Sequence, residues 1–105
     1  MPGNADLLNN KRGKSGETMY IFTQGTVSMW IEYHKDGMHV VSEIDDDELG
    51  FKSEIHYILS HDAVSKMYSI ISEKEFTDLC RKGRTSGMED FLDSHEIPYR
   101  RVSAW

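Results

Sequence analysis

Residues 26–44 read TVSMWIEYHKDGMHVVSEI. From Val27 to His34 the side chains alternate: Val27, Met29, Ile31 and Tyr33 fall on one side, Ser28, Trp30, Glu32 and His34 on the other. A period of two is the signature of a strand with one buried face. Lys35-Asp36-Gly37-Met38 interrupts the pattern. Asp-Gly is the preferred central pair of a type I′ hairpin turn, because both residues there need positive φ. Such a turn predicts the pairs Tyr33–Val40, Ile31–Ser42 and Met29–Ile44, with the apolar side chains on one face of both strands. In the same register His34 lies opposite His39, and Trp30 opposite Glu43.

On the N-terminal side, Thr18–Gln24 (TMYIFTQ) is β-branched and aromatic, and Gly25 punctuates it, so it reads as a further strand. On the C-terminal side, Glu43–Glu48 (EIDDDE) reads as a turn or loop that ends at Gly50. Phe51 to Leu59 alternates again, with Phe51, Ile55, Tyr57 and Leu59 together. Ser60-His61-Asp62 reads as a turn. Val64–Ile71 supports two readings. Ala63, Val64, Met67, Tyr68 and Ile71 suit a helical face. The run Met-Tyr-Ser-Ile-Ile has strand composition, and a strand is the expectation.

Ser72-Glu73-Lys74-Glu75 has the form of a capping box, with the inward stripe Phe76, Leu79 and Cys80 behind it. Arg81 and Lys82 suit the negative end of a helix dipole, and Gly83 suits the position just past its end. Ser86-Gly87-Met88-Glu89 repeats the box ahead of Met88, Phe91 and Leu92, in a helix ending near His95. Pro98 follows, and Tyr99–Trp105 reads as a last strand. The fold class is α+β: a mostly antiparallel sheet of about four to six strands, with two helices from the C-terminal half packed on one face. Residues 1–17 read as a flexible N-terminal arm and 18–105 as a single α+β domain.

The chain has 105 residues, 18 acids, 12 bases and a formal net charge of −6. Its content of Trp, Tyr, Phe and aliphatic residues separates it from collagen-like, low-complexity and wholly disordered chains. No apolar run approaches the roughly 18 residues that span a bilayer, and the first 17 residues lack the apolar stretch of a secretory signal. A net acidic chain is a poor generic binder of nucleic acid or anionic membrane. Cys80 is the only cysteine, so no internal disulfide or multi-cysteine zinc motif exists; an unpaired thiol fits a reducing cytoplasm.

The charge is uneven. Residues 1–17 carry +1 and residues 63–105 balance at 0, whereas residues 26–62 hold nine acids against two bases, a net −7. Glu43, Asp45, Asp46, Asp47 and Glu48 fall within six positions. The bland reading is a solvated turn that keeps the chain apart from its neighbours. The sharper reading is an anionic binding face for a basic protein, a property typical of proteins that handle nucleic acid. On that reading the carboxylates of Glu32, Glu43, Asp45, Asp46, Asp47 and Glu48 stand in for substrate phosphates, and Trp30 supplies the apolar anchor. The function this favours is a small cytoplasmic inhibitor, of the bacterial immunity or antitoxin type, that occludes a nuclease toxin. Two other classes stay open: a metal- or ligand-binding domain or enzyme using the sheet face with His34, His39 and His56, and a dimerising regulatory domain using a free sheet edge.

Candidate chemical sites are few. His34 and His39, with Glu32 or Glu43, have the donor types that zinc takes, although their position near a hairpin end equally suits a solvated surface. The acidic run fails the EF-hand template: with Asp45 at position 1, position 12 is His56 rather than Glu. Ser60, His61 and Asp62 are adjacent and so do not form a catalytic relay, which needs spatial rather than sequential juxtaposition. Cys80 lies on an apolar stripe near a helix C-terminus, a setting for a buried structural thiol. Arg81, Lys82, Arg84, Arg100 and Arg101 only balance neighbouring acids. No catalytic residue, cofactor or direct nucleic-acid contact is expected.

Overall fold

A computed structural model describes residues 16–46, 48 and 50–104. The expected arm lies outside these residues as far as residue 15, as does Asp47. Strands β1 (Thr18–Gln24), β2 (Val27–His34), β3 (Gly37–Asp46) and β4 (Phe51–Ser60) are followed by helices α1 (His61–Ile70) and α2 (Glu73–Ser94) and by strand β5 (Arg100–Ala104). The strands form one sheet in the order β1-β2-β3-β4-β5, and every neighbouring pair is antiparallel. The two helices connect β4 to β5 and pack on one face, so the α+β class stands.

The hairpin register differs from the predicted one by two residues. Lys35 and Asp36 make the turn and Gly37 already belongs to β3, which gives His34↔Gly37, Tyr33↔Met38, Ile31↔Val40, Met29↔Ser42 and Val27↔Ile44. Asp36 is not among the positive-φ residues, so the turn is not type I′. Gly37 is needed instead for its φ of 150° and for the approach of β4: a Cβ there would sit 2.0 Å from the Leu59 carbonyl oxygen. A two-residue shift preserves parity, so the predicted inward and outward sets survive although their partners change.

The inward face supplies Ile21, Met29, Ile31, Tyr33, Met38, Val40, Tyr57 and Leu59 to the core. Ala63 and Met67 of α1, Phe76, Cys80, Met88 and Leu92 of α2, and Ile97 close it. A fully buried side chain of the size of Phe76 or Leu92 contributes about 2–3 kcal/mol. Two polar tethers cross this layer: the Tyr33 hydroxyl donates to Glu73 Oε2 at 3.1 Å, and the Tyr57 hydroxyl donates to Glu89.

Val64–Ile71 is not a strand. Residues 64–70 belong to α1 and Ile71 is its C-cap; Ser60 is that helix's N-cap, its hydroxyl accepting from the Ala63 N–H at 3.2 Å, with Asp62 in the first turn. The expected turn at Ser60-His61-Asp62 is therefore a cap and a helix start. Strand composition loses here to the stripe Ala63, Val64, Met67, Tyr68 and Ile71, which packs on the sheet at helical spacing.

The Ser72–Glu75 capping box forms as expected. The second box does not: Ser86 lies within α2, and Glu89 accepts the Tyr57 hydroxyl instead. The break expected between two helical stretches is present and falls one residue past Gly83: α2 is two helical segments joined across a kink at Arg84, whose backbone is non-helical (φ 55°, ψ −148°). Arg84 donates to Gln24 Oε1 at 2.6 Å and lies 5.5 Å from the Phe22 ring centroid, contacts with β1 that hold the kink. At the end of α2, Glu96 takes φ 56°, Glu96 N–H donates to Asp93 O and Ile97 N–H to Leu92 O, the pattern of a Schellman cap. Among the described residues no helix is long and apolar enough to cross a membrane.

Candidate functional site

Among the described residues no helix or strand packs on the face of the sheet opposite the helices, and the register writes the map of that open face. One row crosses all five strands: Tyr20↔Trp30↔Val41↔His56↔Val102. The row on one side is Thr18↔Glu32↔His39↔Ile58↔Arg100. On the other side Ser28↔Glu43↔Glu54↔Ala104 run together. The central row is apolar and aromatic apart from one imidazole. Its two ends are exposed, Tyr20 at 68% and Val102 at 38%, whereas Val41 in the middle is fully covered. A bulge in β1 between Tyr20 and Phe22 puts Tyr20 on this face and Phe22 on the core side.

Trp30 is less exposed than expected, at 9%. The Tyr20 ring packs on it at 5.7 Å between centroids, and its Nε1 donates to Glu32 Oε2 at 2.8 Å. It lies opposite Val41 rather than Glu43, because of the register shift. Tyr20, not Trp30, is the projecting aromatic.

The expected acidic loop tip is mostly strand. Glu43, Asp45 and Asp46 belong to β3, and Glu48 is exposed in the turn beyond it. Glu43 and Asp45 alternate onto the open face, where Glu43 pairs with Lys52 at 3.6 Å. The structure thus brings Trp30, Glu32, Glu43 and Asp45 onto one face, with Asp46 at the end of β3 and Glu48 in the turn beyond.

A polar network surrounds the histidines. Glu32 Oε1 lies 3.0 Å from His34 Nε2; the His34 and His39 rings stack with centroids 4.0 Å apart; His39 Nδ1 and His56 Nδ1 are 3.1 Å apart; and His56 Nε2 is 3.0 Å from Glu54 Oε1. His39 faces Glu32 across the hairpin, and His34 is its diagonal neighbour. Potential ligand atoms of Glu32, His39 and His56 all lie within 4.8 Å of one another. Burial would raise the Glu32 pKa, but hydrogen bonds from Trp30 and His34 outweigh it and hold the carboxyl below its ordinary value. Burial, together with the neighbouring imidazoles of His34 and His56, pushes His39 below its ordinary value, which favours a neutral ring.

Sequence reasoning missed Tyr20, Glu54 and the central position of His56 among the site residues. The β4 alternation carries Glu54 and His56 on the same side as Lys52, a legible signal once β3 is extended through Asp46. Tyr20 was hidden by the bulge, which breaks the period of β1. Cys80 is fully buried, and burial pushes its thiol up to about 12, the setting of a structural thiol. No protein-family model, curated protein or solved structure matches the chain.

Proposed function

We propose that this chain is a small acidic inhibitor that docks a basic protein partner on its open sheet face. The partner class is a nuclease toxin and the type of protein a bacterial immunity or antitoxin protein acting in the cytoplasm. The observation that carries the reading is the cross-sheet row from Tyr20 to Val102 with carboxylates on both flanks, Glu32 on one and Glu43 and Glu54 on the other. An apolar centre with a charged rim is the usual anatomy of a protein-binding hot spot. Asp45, Asp46 and Glu48 continue the negative charge toward the β3–β4 turn, which suits long-range attraction of a Lys- and Arg-rich surface. Inhibition follows from occlusion: carboxylates occupy the cationic groups that otherwise hold substrate phosphates.

The test begins with affinity capture from the native host and proceeds to titration of the captured partner. A basic nuclease whose activity falls on binding is expected. Tyr20→Ala weakens binding by about tenfold or more. Neutralising Glu43, Asp45, Asp46 and Glu48 to Gln or Asn flattens the salt dependence. Unchanged affinity and an unchanged salt response in both variants reject the mechanism.

A further inference from the structure

The histidine cluster points to a capacity that does not depend on that reading. We infer that Glu32, His39 and His56 form a site for one zinc-class divalent transition-metal ion on the open face of the sheet. The two Nδ1 atoms, 3.1 Å apart, are nearly as close as two nitrogens bound to one tetrahedral ion. Zn–N bonds of about 2.0–2.1 Å at the tetrahedral angle put such nitrogens roughly 3.3 Å apart. The third donor, a Glu32 carboxylate oxygen, needs only a small side-chain adjustment from its position within 4.8 Å.

Glu54 supplies the second observation. His56 Nε2 lies 3.0 Å from Glu54 Oε1, so a neutral His56 carries its proton on Nε2 and turns its Nδ1 lone pair toward His39. A carboxylate behind the non-ligating nitrogen is the arrangement that orients metal-binding histidines and raises their basicity. Without metal, the His39 Nδ1–H donates to the His56 lone pair. When the metal enters, that proton moves to His39 Nε2, and both Nδ1 lone pairs face the ion with no net change in protonation. Trp30 and His34 fix the Glu32 carboxylate from its two oxygens, and the His34 ring supports His39 by stacking. Two imidazoles and one carboxylate exclude Ca²⁺ and Mg²⁺ as preferred occupants, since those ions favour all-oxygen sets. Three protein ligands leave a tetrahedral ion one position for water or an outside donor.

Zn²⁺ alone is the probe, in equilibrium dialysis and calorimetry with the full chain. One equivalent is expected to bind and to raise the thermal unfolding midpoint. His39→Gln and His56→Gln each weaken binding by about 100-fold or more, and Glu54→Gln, which alters only the support behind His56, by about 10–100-fold. His95→Gln, remote from the cluster, leaves binding unchanged. Circular dichroism checks that each variant is folded. A Co²⁺ spectrum of the unmodified chain needs no variant and shows the intense visible bands of a tetrahedral site. Absence of those bands, zinc below one equivalent, or binding retained by a folded His39→Gln/His56→Gln double variant overturns the inference and leaves the histidines as a hydrogen-bond network only.

Discussion

Burial, and after it the imidazoles of His34 and His56, hold the His39 pKa below the ordinary 6.5 against the opposing pull of Asp36 and Glu32. The unfolded chain therefore binds more protons than the native one in the window just below pH 6.5, and stability rises with pH there. That contribution is fully present above about pH 6.5 and is lost as acid lowers the pH toward the folded value. Glu32, also held low, adds a second loss below its ordinary 4.5. Urea unfolding at about pH 7.5 and about pH 5.5 is expected to show lower stability at the acidic value, with a smaller difference in His39→Gln. An equal drop in both proteins assigns the effect elsewhere. The residue types of this cluster were legible in the sequence, and His34 and His39 were recognised near one turn. His56 was placed on the same sheet face, but its contact with His39 and the role of Glu54 were not legible, because both arrive from a third strand whose pairing depends on the register of the first two.

Elements were legible where local chemistry had no competitor. The Ser72 hydroxyl and the Glu75 carboxylate satisfy each other's backbone N–H within four residues, and that box is present as read. The alternation of β2 and β4 likewise needs only one buried face. Failures occurred where a residue had two uses. Gly37 is favourable in an Asp-Gly turn and also where strands crowd; the crowding with β4 wins, and the turn moves back by one residue. Gly37→Ala would drive a Cβ into the Leu59 carbonyl at a backbone angle that alanine disfavours. A loss of about 2–3 kcal/mol in chemical denaturation is expected, and a loss below about 0.5 kcal/mol would mean that the strands separate readily there. For α1, β-branched and aromatic composition argued for a strand, but the apolar stripe had a sheet face to cover and the Ser60 cap to start it.

At the scale of the whole molecule the sheet has one covered and one open face, and the two carry different chemistry. The covered face holds an apolar layer that includes Cys80, fully buried and with its thiol pushed up to about 12. Exposure of this thiol requires the core to open, so a thiol reagent is expected to react slowly with the native chain. In urea its rate should climb along the same transition as circular dichroism. Rapid labelling without urea would reveal local opening of α2. The open face carries the Tyr20-to-Val102 row and the histidine cluster, together with the carboxylates of Glu32, Glu43, Asp45 and Glu54. Fold class, the hairpin, the first capping box, the buried thiol and the concentration of acids in residues 26–62 could be read from the chain alone, because each follows from periodicity, composition or contacts within a few residues. The strand partners, the helical state of residues 61–70 and the meeting of Glu32, His39 and His56 required the folded molecule. They depend on which surfaces compete to be buried and on a two-residue choice of register, and neither leaves a local signal: a shift of two keeps every side chain on its face while changing every neighbour.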